Sequence, residues 1–191
     1  MINSFDNALR RHQQTFEKVK ELGPDALRLA EAVIHCLKSG GKVLWMGNGG
    51  SAADSQHLAA EFMVRYKAER RPLPSIALTT DSSILTAHTN DYEFDTLFAR
   101  QVEGLARKED LVIGISTSGN SNNIIKAIEQ AKAMGVTTAT LLGRDGGKLK
   151  DLADHSIIIP GNETARIQEA HLFIGHWLCE EIDYQLADSN E

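Results

Sequence analysis

The chain has 191 residues, of which 42% are hydrophobic and 24% are charged, and it carries a formal net charge of −6. The length suits one domain, and the composition excludes a disordered or collagen-like chain. An acidic chain is a poor candidate for sequence-independent binding of nucleic acid, because such binding depends on Lys and Arg to neutralise phosphates.

The sequence favours a cytoplasmic protein without a membrane partner. The first residues, Met1–Asn7, lack the basic start and apolar core of a secretory signal. The apolar runs are short, as in Leu111–Ile115, and none approaches the roughly 18 residues of a membrane span. Cys36 and Cys179 lie far apart in apolar contexts, so we expect buried free thiols in a reducing compartment.

Residues 1–39 predict two helices. Apolar residues recur at helical spacing on both sides of Gly23–Asp25, a segment with turn chemistry, and Ser39–Gly41 ends the second helix. We expect these helices to serve in packing and oligomerisation. Residues 40–191 would then form an α/β core, and the whole chain, residues 1–191, a single domain.

Short apolar runs then alternate with helical patterns. The predicted strands are 43–46, 75–78, 111–115, 137–142 and 156–159, and the predicted helices are 52–66, 124–134 and 165–186. Continuous apolar strands that alternate with helices indicate a parallel sheet buried on both faces. The sequence therefore predicts a three-layer, doubly wound α/β fold with five parallel strands and ligands at their carboxyl ends.

Two loops at those carboxyl ends suit a phosphate. Gly47–Ser51 and Ser116–Ser121 each join a predicted strand to a predicted helix. Glycines allow close approach of the backbone, and a helix N-terminus offers free N–H groups to an anion. Ordinary strand-to-helix turns with serine caps are the alternative. Neither loop has the sequence of a P-loop or a dinucleotide-binding fingerprint.

Ionisable side chains occur on two of the predicted helices. His57 and Glu61 are four residues apart and share one helix face, which suits either a metal site or a solvated pair. On the closing helix, His171 falls within the apolar stripe and is predicted to be a core residue. His176 falls opposite that stripe, so we expect it outside the subunit core, either exposed or working at a contact with another subunit.

Four segments are shared with a known family: Gly47–Ser51 with His57 and Glu61 after it, Asn90–Asp91, Ile115–Ser121, and Ala165–Glu169 continuing to His176. On the basis of these segments, nearly the whole chain resembles the SIS (sugar isomerase) domain family and, within it, the phosphoheptose isomerases. The serine-rich loop marks the wider family, whereas His57, Glu61, Gln168 and His176 together narrow the resemblance to the isomerase.

The resemblance implies an enzyme with a flavodoxin-like SIS fold that interconverts sedoheptulose 7-phosphate and D-glycero-D-manno-heptose 7-phosphate. This reaction is the first step toward ADP- or GDP-heptose precursors and lipopolysaccharide core. The resemblance also implies a homotetramer with active sites at subunit interfaces and one zinc ion per subunit. The positions that match the zinc ligands are His57, Glu61, Gln168 and His176. The positions that match substrate contacts are Asn48, Gly49, Gly50, Ser51, Glu61, Asn90, Asp91, Ser116, Thr117, Ser118, Ser121 and Gln168.

Isomerisation through an enediol needs a base that moves a proton between C1 and C2 and an acid that serves the two oxygens. We expect Glu61 to be the base and His176 the acid. Because Gln168 and His176 are eight residues apart, about 12 Å along a helix, we also expect the complete site to join two chains.

Other functions are also compatible with the sequence. A non-catalytic SIS protein could sense a phosphosugar or act as a tetramer that binds a replication initiator, and another isomerase of the family could take a shorter sugar. The presence of both Glu61 and His176 favours an enzyme.

Overall fold

The computed structural model describes residues 4–186. The α-helices are α1 (Phe5–Val19), α2 (Gly23–Lys38), α3 (Gly50–Met63), α4 (Ser82–Asp91), α5 (Leu97–Leu105), α6 (Asn122–Ala133) and α7 (Thr164–Leu186). The strands are β1 (Val43–Gly47), β2 (Ser75–Ala77), β3 (Leu111–Ser116), β4 (Thr137–Gly143) and β5 (His155–Ile159). None of the helices in this range combines the length and apolarity that a membrane span requires.

The five strands form one parallel sheet in the order β2-β1-β3-β4-β5. This is the flavodoxin-like doubly wound order, in which the chain changes direction across the sheet between β1 and β3. All five residues of β1 and all six of β3 are buried, as expected for central strands covered on both faces. The predicted fold class is therefore confirmed.

Successive residues of the central strands point into two separate hydrophobic clusters. Trp45 and Ile113 pack into the cluster that α2, α3 and α7 cover, and α1 packs at its edge. Leu44 and Val112 pack into the cluster that α5 and α6 cover. The alternation follows from the period of two along a strand and produces the three predicted layers.

The predicted strands are confirmed with end differences of one residue, but two details of the helices differ. Gly23 and Pro24 begin α2, and a short 3-10 helix, Lys20–Leu22, makes the connection from α1. Proline is tolerated there because the first turn of a helix needs no N–H donor. Two helices, α4 and α5, are also present that were not predicted from the sequence.

The proposed domain, residues 1–191, extends beyond the described residues at both ends, because 1–3 and 187–191 lie outside them. Its division into oligomerising N-terminal helices and an α/β core stays a prediction. Within the described range, α1 is tied to α7 and the residue before it by the ion pair Arg11–Glu163 and by a hydrogen bond between His12 and Glu169. The N-terminal helices thus pack on the closing helix of the same chain.

Candidate active site

The two predicted phosphate loops lie side by side. β1 and β3 are neighbours, and Gly47 at the end of β1 pairs with Ile115 near the end of β3. Both loops contain a glycine with positive φ: 57° at Gly49 and 66° at Gly119. The loops therefore meet at the switch point of the sheet, which is where doubly wound folds bind ligands.

Hydroxyl groups line the loop after β3. The Oγ atoms of Ser116 and Ser121 are 2.9 Å apart, and the amide of Gly119 donates to the Ser116 Oγ at 3.1 Å. Ser121 precedes the first residue of α6 without capping the helix through its side chain. Thr117 and Ser118 are partly exposed. The loop thus presents hydroxyls and a helix N-terminus to an anion.

An amide pair that the sequence analysis missed joins the two loop regions. Asn48 Nδ2 donates to Asn123 Oδ1 at 2.9 Å, and Asn123 Nδ2 donates to Asn48 Oδ1 at 2.8 Å. Asn123 lies in the first turn of α6 and is buried. The signal in the sequence was an asparagine just after the serine-rich loop, since an amide that becomes buried there needs a hydrogen-bond partner.

His57, Glu61 and His176 form a cluster, here called the His–Glu–His cluster. One ligand atom from each lies within 4.8 Å of the others. The Nε2 atoms of His57 and His176 are 2.9 Å apart, and Glu61 Oε1 is 3.4 Å from His57 Nε2. Ligand atoms that bind a tetrahedral zinc ion at 2.0–2.2 Å lie about 3.3–3.6 Å apart. The donor types suit a metal ion, and the two histidine nitrogens would have to separate slightly to bind one.

The packing of α3 on α7 creates this cluster. A Cβ on Gly175 would come within 2.6 Å of the Leu58 side chain, so glycine lets the two helices approach next to His176. His176 therefore lies outside the core, as expected, and is partly covered by α3 of the same chain. The ring of Tyr66 stacks on His176 with centroids 5.5 Å apart, a contact that the sequence analysis missed.

Gln168 lies about two helical turns before His176 on α7 and packs against the first turn of α3. Its side chain lies against Gly50 and beside Asp54, which is 8% exposed. Burial raises the pKa of Asp54, although the amide of Gln168 and the charge of His57 act in the opposite direction. Asp54 is a further site residue that the sequence analysis did not identify.

A buried ion pair holds the C-terminal end of α3. Arg70 donates to the backbone carbonyls of Glu61 and Phe62 at 2.9 and 3.0 Å and to Asp183 Oδ1 at 2.7 Å. The other oxygen of Asp183 accepts the amides of Lys67 and Ala68, each at 2.8 Å. This network fixes the turn of α3 that carries Glu61.

Asn90 and Asp91 lie apart from these groups. Both are exposed at the end of α4, where Asn90 Nδ2 donates to Asp91 Oδ1 at 2.8 Å. They line an open cavity of about 510 Å³ with other residues of α4 alone. No residue of α4 is buried.

His171 is the core residue that the sequence predicts. It is fully buried, and its Nε2 donates to the carbonyl of Leu142 at 2.8 Å. Burial lowers the pKa of His171 to about 4, against the opposing effect of this bond. A neutral histidine is therefore part of the packing under α7, separate from the cluster.

Comparisons with known proteins agree with this geometry. A family model described as "SIS domain" matches residues 9–143. A phosphoheptose isomerase from Nitratiruptor is 53% identical over 96% of this chain and 98% of its own length. A phosphoheptose isomerase from Aliarcobacter butzleri is 54% identical over 92% of this chain and 94% of its own length.

Two solved structures share the fold at substantial identity. The phosphoheptose isomerase from Neisseria gonorrhoeae is 41% identical, with a TM-score of 0.87 over 94% of this chain and 97% of that chain. The phosphoheptose isomerase from Francisella tularensis is 36% identical, with a TM-score of 0.88 over 96% of this chain and 100% of that chain. The chain belongs to the SIS domain family and, within it, to the phosphoheptose isomerases.

Proposed function

We propose that the chain is an isomerase that interconverts sedoheptulose 7-phosphate and D-glycero-D-manno-heptose 7-phosphate, as the first step toward heptose precursors of lipopolysaccharide. The observation that carries the proposal is the placement of the His–Glu–His cluster between α3 and α7, with α3 starting directly from a phosphate-type loop. A sugar phosphate held at the start of α3 would extend its carbon chain toward His57, which lies seven residues, about 10 Å, along the helix.

The substrate phosphate binds at the loop after β3 in this proposal. Hydrogen-bond donors without added charge, which suit an acidic protein, come from the N-terminus of α6 and from the hydroxyls of Ser116, Thr117, Ser118 and Ser121. The sugar is flanked on the side of β1 by the first loop, with Asn48, Gly49, Gly50 and Ser51. Gln168, at the start of α7, completes the polar wall.

Glu61 and His176 perform the proton transfers. Glu61 removes the proton from the carbon next to the carbonyl, which yields an enediol, and returns it to the neighbouring carbon. His176 donates a proton to the carbonyl oxygen as it becomes a hydroxyl and takes one from the neighbouring hydroxyl as it becomes the carbonyl. The stacked ring of Tyr66 and the nearby His57 hold His176 in place for this exchange.

Zinc is the cofactor that we propose for this site. His57, Glu61 and His176 would hold it, with Gln168 as the proposed fourth ligand. When bound, zinc supplies a Lewis acid that stabilises negative charge on a substrate oxygen. Metal analysis of protein purified without chelator should give one zinc per subunit. Full activity of metal-free protein would contradict this assignment.

We also propose a homotetramer in which neighbouring subunits complete the active sites. An open apolar cavity of about 480 Å³ lies between α1, α2 and α7, and Leu27 and Phe173 beside it are 52% and 47% exposed. Ile84, Tyr92 and Phe94 around α4 are exposed as well. Such surfaces suit contact with another copy, which would also place Asn90 and Asp91 at a neighbour's site. A fully active monomer in sedimentation and assay at nanomolar concentration would refute this arrangement.

A cytoplasmic location is consistent with the two free cysteines. Cys36 and Cys179 are buried, and burial raises the pKa of each thiol to about 12. Such thiols stay protonated and unreactive. Cell fractionation tests the location, and recovery of the protein outside the cytoplasm would contradict it.

The activity is tested by following sedoheptulose 7-phosphate with the purified protein by NMR in D2O. We expect formation of heptose 7-phosphate and its loss in Glu61→Gln. The matched control is Glu103→Gln, which changes an exposed carboxylate on α5 that forms an ion pair with Arg100 of the same helix. No conversion by the folded wild type, or equal conversion by Glu61→Gln, would overturn the assignment.

A further inference from the structure

The serine-rich loop after β3 packs against the loop that follows β4, residues 144–147, here called the supporting loop. A Cβ on Gly119 would overlap the carbonyl group of Gly146, so the two loops touch through their backbones. The amide of Leu149, just past the supporting loop, donates to the carbonyl of Gly119 at 3.1 Å. Arg144 has a φ of 60°, which residues other than glycine rarely adopt. The supporting loop therefore keeps a strained conformation in contact with the candidate phosphate loop.

Asn120 joins the two loops through both ends of its side-chain amide. Its Nδ2 donates to the carbonyl oxygen of Ser118 at 2.9 Å, and its Oδ1 accepts the amide of Lys148 at 3.1 Å. These partners fix the orientation of the carboxamide, because a backbone carbonyl only accepts and a backbone N–H only donates. Asn120 is exposed, so these hydrogen bonds rather than burial hold its side chain.

The backbone that Asn120 holds orients two hydroxyl groups. The amide of Gly119 donates to Ser116 Oγ at 3.1 Å, and the amide of Asn120 donates to Ser118 Oγ at 3.2 Å. A serine hydroxyl that accepts a hydrogen bond from an amide still has its own hydrogen to donate. The carbonyl oxygens of Ser118 and Gly119, which would repel an anion, already accept hydrogen bonds. The loop thus keeps its acceptors occupied and its hydroxyl donors available, as a phosphate requires.

We propose that Asn120 is a positioning residue that locks the serine-rich loop against the supporting loop, so that the hydroxyls of Ser116 and Ser118 face the substrate phosphate. The inference rests on the proposed function, in which this loop binds the phosphate of the sugar. Asn120 acts through the two serines and does not itself touch the reacting atoms. Because the phosphate is remote from the carbons that react, loss of Asn120 weakens substrate binding more than it slows the chemical step.

Binding of inorganic phosphate tests this role without turnover. In 31P NMR titrations we expect Asn120→Ala to raise the Kd for phosphate about 5- to 10-fold, in line with the two hydrogen bonds that it removes. Because the side chain is exposed, the midpoint of thermal unfolding without phosphate should shift by less than about 4 °C. The matched control is Asn162→Ala, which changes an exposed asparagine in the turn before α7 and should keep the wild-type Kd. Equal Kd values in the wild type and Asn120→Ala, or no binding of phosphate by the wild type, would overturn the proposal.

Steady-state kinetics and a double-mutant cycle separate positioning from general damage. We expect Asn120→Ala to raise KM for sedoheptulose 7-phosphate by a similar factor and to change kcat by less than about twofold. In the Ser118→Ala background the same substitution should raise the Kd for phosphate by less than about threefold, since one hydroxyl that it orients is gone. A loss confined to kcat, or fully multiplicative effects of the two substitutions, would overturn the proposal. Binding of phosphate without isomerisation by the wild type would instead refute the function, and the titration would still decide the role of Asn120.

Discussion

A single buried histidine should make the stability of this protein depend on pH between 6.5 and 4. His171 is fully buried, and burial lowers its pKa to about 4 from an ordinary 6.5. Below pH 6.5 the unfolded chain takes up a proton at this residue, whereas the folded protein stays neutral there until about pH 4. Stability is therefore present above pH 6.5 and is lost as the pH falls through this interval.

The magnitude follows from the interval. The difference between 6.5 and about 4 corresponds to about 3 kcal/mol at 1.36 kcal/mol per pKa unit, of which about 2.5 kcal/mol is lost by pH 4.5. Replacement by glutamine keeps a donor for the Leu142 carbonyl but removes the titration. We therefore expect His171→Gln to lose about 2.5 kcal/mol less than the wild type between pH 7 and pH 4.5.

The assay is urea unfolding at both pH values, at one fixed protein concentration because assembly adds to apparent stability. Because each protein is compared with itself at the two pH values, the effect of the substitution on packing, which is the same at both, cancels. The control is His35→Gln, an exposed histidine on α2, which should keep the wild-type loss. Equal losses in the wild type and His171→Gln would refute the reasoning.

Three further substitutions probe the supports of the site. Arg70→Met leaves a buried carboxylate unpaired and should lower the free energy of unfolding by about 3–5 kcal/mol, whereas Arg100→Met in an exposed pair should cost less than about 1 kcal/mol in the same urea assay. Asn123→Ala removes the partner of Asn48 and should raise KM for the phosphosugar about tenfold in steady-state assays, with a smaller change in kcat. Tyr66→Leu should lower kcat severalfold by removing the ring that stacks on His176, the proposed acid, whereas Tyr66→Phe keeps that ring and should retain kcat.

The central part of the fold was predictable because local pattern and burial coincide there. Each residue of β3 is buried, so the apolar run Leu111–Ile115 identifies a strand covered on both faces. Parallel strands joined by helices must place their carboxyl ends at one edge. The positions of Gly47–Ser51 and Ser116–Ser121 at that edge therefore followed from the sequence.

The region between β2 and β3 was less predictable. α4 has no buried residue, so the apolar periodicity that identifies a helix is weak along it. α5 is only nine residues long, although Leu97, Phe98 and Val102 bury one face of it. The location of Asn90 and Asp91, outside the cluster of their own subunit, could not be inferred without this helix.

The sequence by itself determined which residues share a face, but the tertiary structure decided which faces meet. Spacing put His57 beside Glu61, and the apolar stripe of α7 put His171 in the core. The position of His176 depended on the approach of α3 at Gly175, a contact between residues far apart in the chain. Periodicity describes one helix at a time, whereas the site exists only where two helices pack, which is a matter of shape and volume.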